Sequence, residues 1–206
     1  MSRENRELWL LKATYPHLER LFKQRLAACN TSVLKDAKFP IVKISVGLPY
    51  GRGGKKAIGQ HWAPEASDDR KGTIFISPTI DDAIEVLGVL VHELVHAVVG
   101  NEAKHGPAFR TVATAVGLEG KMTATVAGAE LVKELKAIVE RIGEYPHAKL
   151  NLAMHPIKKQ TTRMIKMECP ECEYIARASR KVILELGAAI CPGCGNAMHA
   201  EIGEEE

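Results

Sequence analysis

Residues 80–99 are so rich in hydrophobic side chains that the helix they predict has no polar face. A helix of this kind is expected in the core of a protein, because any surface position would expose part of its hydrophobic perimeter. Thr79 and Asp82, three residues apart, predict a capping box at its start, and Gly100 predicts its end. The rest of the fold must therefore enclose this helix.

Three ionisable side chains interrupt the hydrophobic stretch with the pattern HExxH, at His92, Glu93 and His96. Residues four apart share one face of a helix, so both imidazoles can approach one metal ion. Glu93 lies about 100° round the helix from His92, close enough to take a proton from a water molecule beside the metal. Chance spacing of core histidines is the alternative. We favour a zinc site with Glu93 as catalytic base, because coordination satisfies polar groups that are otherwise costly to bury.

A catalytic zinc ion usually has three protein ligands, so a third one is expected nearby. The metzincin pattern would require glycine and histidine where this chain has Val99 and Glu102, and it is excluded. His105 is the favoured ligand, because it follows the helix in a short loop and precedes Pro107, a natural first residue of a new helix. The carboxylate of Glu102 remains the alternative.

Two CxxC pairs near the C-terminus predict a second, structural zinc site. The four predicted ligands are Cys169, Cys172, Cys191 and Cys194. Two such pairs can complete a closed tetrahedral shell and allow a short segment to fold without a sufficient core. Disulfides are the alternative. We expect thiolates because no export signal is apparent, which favours a reducing compartment.

The segment from His92 to His96, followed by His105, Gly106 and Phe109, resembles the SprT-like metalloprotease family, which pairs HExxH with a histidine in an HGxxF-like segment. The resemblance implies that the three histidines hold zinc and that Glu93 is catalytic. A C-terminal zinc ribbon also matches the arrangement of that family. The family includes a protease that acts on DNA–protein crosslinks, so the resemblance implies DNA-associated protein substrates.

The predicted fold class is α+β: a zincin-like domain, with helices packed on a small antiparallel sheet, and a β-rich zinc ribbon. The predicted segments are a metallopeptidase domain over 1–145, a basic linker over 146–163, the ribbon over 164–203 and an acidic tail over 204–206. Strand patterns occur near 41–48, 57–62 and 72–77, and residues 51–56 predict a hairpin loop between the first two. Helices are predicted over 107–116 and 126–142.

Charge gives a weaker indication of function. The formal net charge of +3 neither establishes nor opposes a nucleic-acid partner. Cations do concentrate in the linker and ribbon, where phosphate contacts are predicted for Lys158, Lys159, Arg163, Arg177, Arg180 and Lys181. A ribbon that only stabilises the fold or docks a protein is the alternative. No stretch has the ~18 apolar residues of a membrane span, and we expect a cytoplasmic protein, associated with the nucleoid if it binds DNA.

The predicted function is a zinc-dependent endopeptidase that DNA recruits or activates to cleave DNA-bound or crosslinked proteins. Its predicted cofactors are one catalytic and one structural zinc ion. The rival interpretation is a non-catalytic nucleic-acid-binding adaptor with two structural zinc sites. Glu93 separates the two, because a purely structural histidine site has no need of a base beside it.

Overall fold

The computed structural model of the chain describes residues 3–28, 39–51, 57–154 and 164–202. The chain divides into two compact units, Met1–Met154 and His155–Glu206. The predicted boundary was residue 145, but the backbone N–H of Leu150 donates to the carbonyl of Pro78 at 2.7 Å. Nε2 of His147 lies 2.9 Å from the same carbonyl oxygen. The start of the predicted linker therefore packs on the first unit, and residues 155–163 lie outside the described ranges.

The first unit is a mixture of helices and short strands. Its helices are α1 (Arg3–Lys12), α2 (Glu19–Ala27), α3 (Ala83–Val99), α4 (Pro107–Val116) and α5 (Ala129–Ile142), and its strands are β1 (Val42–Val46), β2 (Gly59–Trp62), β3 (Gly72–Ile76), β4 (Leu118–Lys121) and β5 (Ala124–Ala127). Among the helices of the described ranges, none has the length and hydrophobicity needed to span a bilayer.

The three-stranded sheet is mixed, which corrects the prediction of an antiparallel sheet. Its order is β1-β3-β2, with β1 parallel and β2 antiparallel to β3. The predicted hairpin between the first two strands is therefore wrong, because β3 lies between them. Ile74 and Ile76 of β3 are fully buried, so the strand with the most hydrophobic inner face takes the centre of the sheet. Of the predicted loop, residues 52–56 lie outside the described part of the chain.

Helix α3 passes through the core, as its hydrophobic perimeter predicted. Its start differs in detail: Asp82 is the N-cap, accepting a hydrogen bond from the backbone N–H of Glu85 at 2.8 Å, and Thr79 lies outside the helix. Gly100 ends the helix with φ of 82°. The fully buried side chains of α3 are Val86, Leu87, Leu90, Val91, Leu94 and Val95.

Helix α4 matches the prediction, and Gly117, with φ of 97°, ends it. The following segment does not match. Residues predicted as the start of a long helix form instead the second strand of a β4–β5 hairpin, and α5 begins only at Ala129. Val126 belongs to that strand and exposes 63% of its surface, which a core-facing helix position would not do.

The second unit has the small β-rich fold expected of a ribbon. Strands β6 (Met164–Glu168), β7 (Ile175–Ser179) and β8 (His199–Ala200) form an antiparallel sheet in the order β7-β6-β8. A short helix that the sequence did not predict, α6 (Arg180–Leu186), follows β7. The described part of the second unit has few buried residues: Met167, Cys169, Ile183, Cys191 and Met198.

Candidate metal centres

The imidazoles of His92, His96 and His105 converge on one point. Nε2 of His105 lies 3.2 Å from Nε2 of His96 and 3.3 Å from Nε2 of His92. Nitrogens that share a tetrahedral zinc ion at the usual bond length are roughly 3.3–3.4 Å apart. The three residues therefore fit a zinc ion, and the third ligand candidate that the structure brings to this group is His105 and not Glu102.

A tight loop brings His105 back over the helix that carries the other two histidines. The chain leaves α3 at Gly100 and turns again between Ala103 and Gly106, where the N–H of Gly106 donates to the carbonyl of Ala103 at 2.9 Å. The fully buried ring of Phe109 then lies beneath the cluster, with its centroid 4.9, 4.5 and 4.9 Å from the rings of His92, His96 and His105. Phe109 thus packs against all three imidazoles.

Thr125 is a site residue that the sequence analysis missed. Its Oγ1 lies 2.8 Å from Nδ1 of His92. If Nδ1 carries the proton and donates it to this oxygen, Nε2 of His92 keeps its lone pair for a metal. The contact joins residues 33 positions apart through the β4–β5 hairpin, and no local pattern in the sequence signals it.

The three histidines are neutral at physiological pH. Burial, followed by the charge of a neighbouring histidine, lowers the pKa of His92 to about 4. Burial and the surrounding imidazoles lower the pKa of His96 to about 3, and burial lowers the pKa of His105. Neutral imidazole is the form that coordinates a metal, so the lowered pKa values of the histidines favour coordination.

Glu93 is a buried acid beside this cluster. It exposes only 6% of its surface, and burial raises its pKa to about 8, partly offset by a hydrogen bond from the backbone N–H of His61. Its carboxylate lies against Gly59, where a Cβ would stand 2.5 Å from Oε1 of Glu93 and 2.6 Å from Cγ1 of Val89. The missing side chain of Gly59 is therefore what leaves room for the carboxylate.

The cluster and Glu93 open into a cleft of about 770 Å³. One wall is residues 57–61, which include part of β2, the strand at one edge of the described sheet. Residues 123–126, from the β4–β5 hairpin, form another part of the lining. His61, one of the lining residues 57–61, lies outside the metal group, and its Nδ1 contacts Oδ1 of Asn101 at 2.9 Å.

The four cysteines of the second unit form the other candidate centre. Sγ of Cys169 lies 3.3 Å from Sγ of Cys194, and Sγ of Cys172 lies 3.4 Å from Cys191 and 3.8 Å from Cys194. Sulfurs that share a tetrahedral zinc ion are roughly 3.8 Å apart. No disulfide joins the four cysteines in this structure, and their arrangement is compatible with a zinc ribbon.

The cations predicted to contact nucleic acid are only partly described. Arg177 is exposed on β7 and lies directly opposite Lys166 of β6, a cation that the prediction did not include. Lys166 contacts Glu168, and Lys181 lies 3.8 Å from Glu185. Arg180 begins α6. The remaining predicted contacts, Lys158, Lys159 and Arg163, lie outside the described ranges.

No family model, curated protein or solved structure matches this chain. The fold and the two sites themselves define a mixed α+β protein with a three-histidine group and a four-cysteine group, each compatible with zinc.

Proposed function

We propose that the protein is a zinc-dependent endopeptidase of the SprT-like type that acts on proteins bound or crosslinked to DNA. The observation that supports it most is the buried carboxylate of Glu93 beside three converging histidine nitrogens, at the bottom of an open cleft. A purely structural metal site does not require a buried acid beside it, or a cleft large enough for a peptide.

The proposed chemistry assigns one role to each group. A zinc ion held by His92, His96 and His105 would polarise the scissile carbonyl and acidify the attacking water. Glu93 takes a proton from that water as the water oxygen bonds to the carbonyl carbon. Glu93 then passes the proton to the amine that leaves when the C–N bond breaks.

The walls of the cleft support an extended peptide as substrate. Strand β2 pairs with β3 on one side only within the described sheet, and residues of this strand line the cleft. An extended peptide could add as a strand along the free edge, although the backbone N–H of His61 already donates to Glu93 there. Main-chain pairing of this kind would hold a carbonyl near the histidines with little dependence on sequence.

The ribbon is proposed to recruit DNA. Arg177 is exposed on β7 opposite Lys166, whose own charge is offset by Glu168, and Arg177 thus gives this part of the sheet a local positive charge that phosphate groups favour. Such recruitment would confine a protease of broad specificity to proteins on DNA.

The test is cleavage of a DNA-binding protein by the full-length chain, with and without single-stranded DNA. Glu93→Gln should retain both zinc ions and lose activity by about 10²–10⁴-fold, the usual contribution of a general base. Arg177→Glu should retain cleavage without DNA and lose part of the DNA stimulation. Zinc content and circular dichroism of each variant serve as controls.

Two results would overturn the proposal in different ways. Equal activity of wild type and Glu93→Gln would remove the assigned base. Tight DNA binding with two zinc ions but no cleavage under any condition would favour the non-catalytic adaptor.

A further inference from the structure

Lys104 adopts a backbone conformation that favours glycine. It has φ of 46° and ψ of −127° and is the first central residue of the turn closed by Ala103 and Gly106. These angles are those of a type II′ turn, in which glycine normally takes that position because a Cβ is strained there. Within the described ranges, Arg70 and Glu173 are the other non-glycine residues with positive φ.

The strained residue lines the cleft next to the third histidine. Lys104 immediately precedes His105, is exposed and contributes to the lining of the cleft. None of the ion pairs found among the described residues includes it. Its ammonium group therefore has no ion-pair partner among the described residues, and the long side chain can reach a molecule bound in the cleft.

Three other polar side chains at the cleft already have protein partners. Gln60 makes two hydrogen bonds to the backbone of Tyr50, at 2.8 and 3.0 Å. Asn101 contacts His61 at 2.9 Å, and Thr125 contacts His92 at 2.8 Å. These groups are less available to bind a substrate side chain than Lys104 is.

Much of the remaining lining is hydrophobic, and it strengthens the effect of one charge. The hydrophobic lining residues are Ala57, Ile58, Val89, Ala124 and Val126. A cation beside such surfaces attracts an anion more strongly than it would in open water, because the local dielectric constant is lower. The charge preference of the cleft should therefore follow Lys104.

We propose that Lys104 is a specificity-determining residue that contacts the substrate and makes the cleft prefer peptides with an acidic side chain near the cleaved bond. The inference rests on the proposed peptidase function and names the substrate class of the same site. A carboxylate is the complementary group because it accepts a charge-assisted hydrogen bond from the ammonium.

A purely structural explanation predicts something different. If the positive φ served only to bring His105 back over α3, glycine would serve better than lysine, because it adopts these angles without strain. Replacing Lys104 with glycine should then improve stability and leave substrate selection unchanged. The two explanations therefore separate in a single variant.

The experiment measures peptide binding in the zinc-loaded, full-length Glu93→Gln background, so that cleavage does not interfere. Its probes are fluorescein-labelled decapeptides in which one glutamate moves along a neutral sequence, each matched by the glutamine version. We expect the glutamate peptide to bind about tenfold more tightly at the preferred position, as a charge-assisted hydrogen bond allows. Lys104→Gly and Lys104→Ala should abolish this ratio, and Lys104→Arg should largely retain it.

Thermal unfolding and zinc content accompany each variant, because Lys104→Gly should keep its metal and be at least as stable. Equal binding of matched peptides, no binding of either peptide, or an unchanged ratio in Lys104→Gly would overturn the inference. A loss of single-stranded DNA affinity in place of the peptide preference would also overturn it, by assigning the cation to nucleic acid. Failure of the peptidase proposal is a distinct result: wild type then binds these peptides and does not cleave them.

Discussion

At the scale of single residues, the contact between Thr125 and His92 should control metal affinity. Thr125→Val keeps the shape of the side chain but removes the oxygen that lies 2.8 Å from Nδ1. We expect zinc affinity at the histidine site to fall by about 10–100-fold, the usual effect of losing a partner of a ligating histidine. Competition with a chromophoric chelator measures it, and Thr125→Ser, which keeps the hydroxyl, is the matched control. Equal affinities for Val and Ser would contradict this role.

The buried acid gives a second prediction at this scale, on the metal-free protein. The pKa of Glu93 is raised from 4.5 to about 8 in the folded state. Between those values the folded state holds a proton that the unfolded chain has released, so the free energy of unfolding falls as pH rises through the window. Glu93→Gln should remove this fall, which amounts to a few kcal/mol at most.

The measurement is denaturant unfolding of both proteins in chelator across that pH window. Trp9 and Trp62, the two tryptophans of the chain, both lie in the first unit and report on it by fluorescence. The lowered pKa values of His92 and His96 act in the opposite sense below 6.5, but they are common to both proteins and cancel in the difference. Parallel stability curves for the two proteins would contradict the prediction.

At the scale of elements, the close approach of β2 to α3 depends on Gly59. In Gly59→Ala the new Cβ would meet Oε1 of Glu93 at 2.5 Å, so the carboxylate or the strand must move. We expect a loss of about 1–3 kcal/mol in stability, as in other overpacked sites, together with a loss of cleavage. Gly88→Ala, in α3, is the control, because its new Cβ would make an ordinary 3.8 Å contact with Ala127. Similar effects of both changes would argue against a specific role for Gly59.

The elements that the sequence predicted well are those fixed by local chemistry. The ends of α4 follow from Pro107 and Gly117, and the end of α3 follows from Gly100, because each signal acts within one turn of the residue that carries it. The histidine spacing on α3 is equally local. Such patterns indicate the three histidines, Glu93 and the four cysteines as candidate site residues from the sequence alone.

The elements that the sequence predicted poorly depend on distant partners. The order β1-β3-β2 depends on which strand pairs with a neighbour on both sides. The sequence pattern of β2 does not indicate which strand that is. The predicted start of α5 at residue 126 falls within β5, because Val126 fits a helical pattern as well as a strand. The sequence does not indicate Thr125, because its partner His92 is 33 positions away. It does not indicate Lys104 either, because the importance of that residue lies in its backbone angles.

At the scale of the whole molecule, the two units should differ in their dependence on metal. The core of the second unit is small, so it should not fold without zinc. We expect Cys172→Ser to lower the zinc content by one ion per chain and to abolish slow amide exchange over 164–202. Unfolding of the first unit, followed by tryptophan fluorescence, should not change. Retained amide protection in the ribbon, or a shifted fluorescence transition, would contradict this independence.

The packing of Phe109 against the histidines implies that the two candidate metal centres differ in how they would acquire an ion. Because one fully buried side chain packs against all three imidazoles, the same packing that forms the hydrophobic core also sets the positions of the histidines. We therefore expect the histidine site to be preassembled before a metal ion binds, with a loading rate that depends on entry through the cleft. In the ribbon we expect metal binding and folding to occur together. Depletion and return of zinc should thus restore the histidine centre without refolding, while the cysteine centre must be built anew.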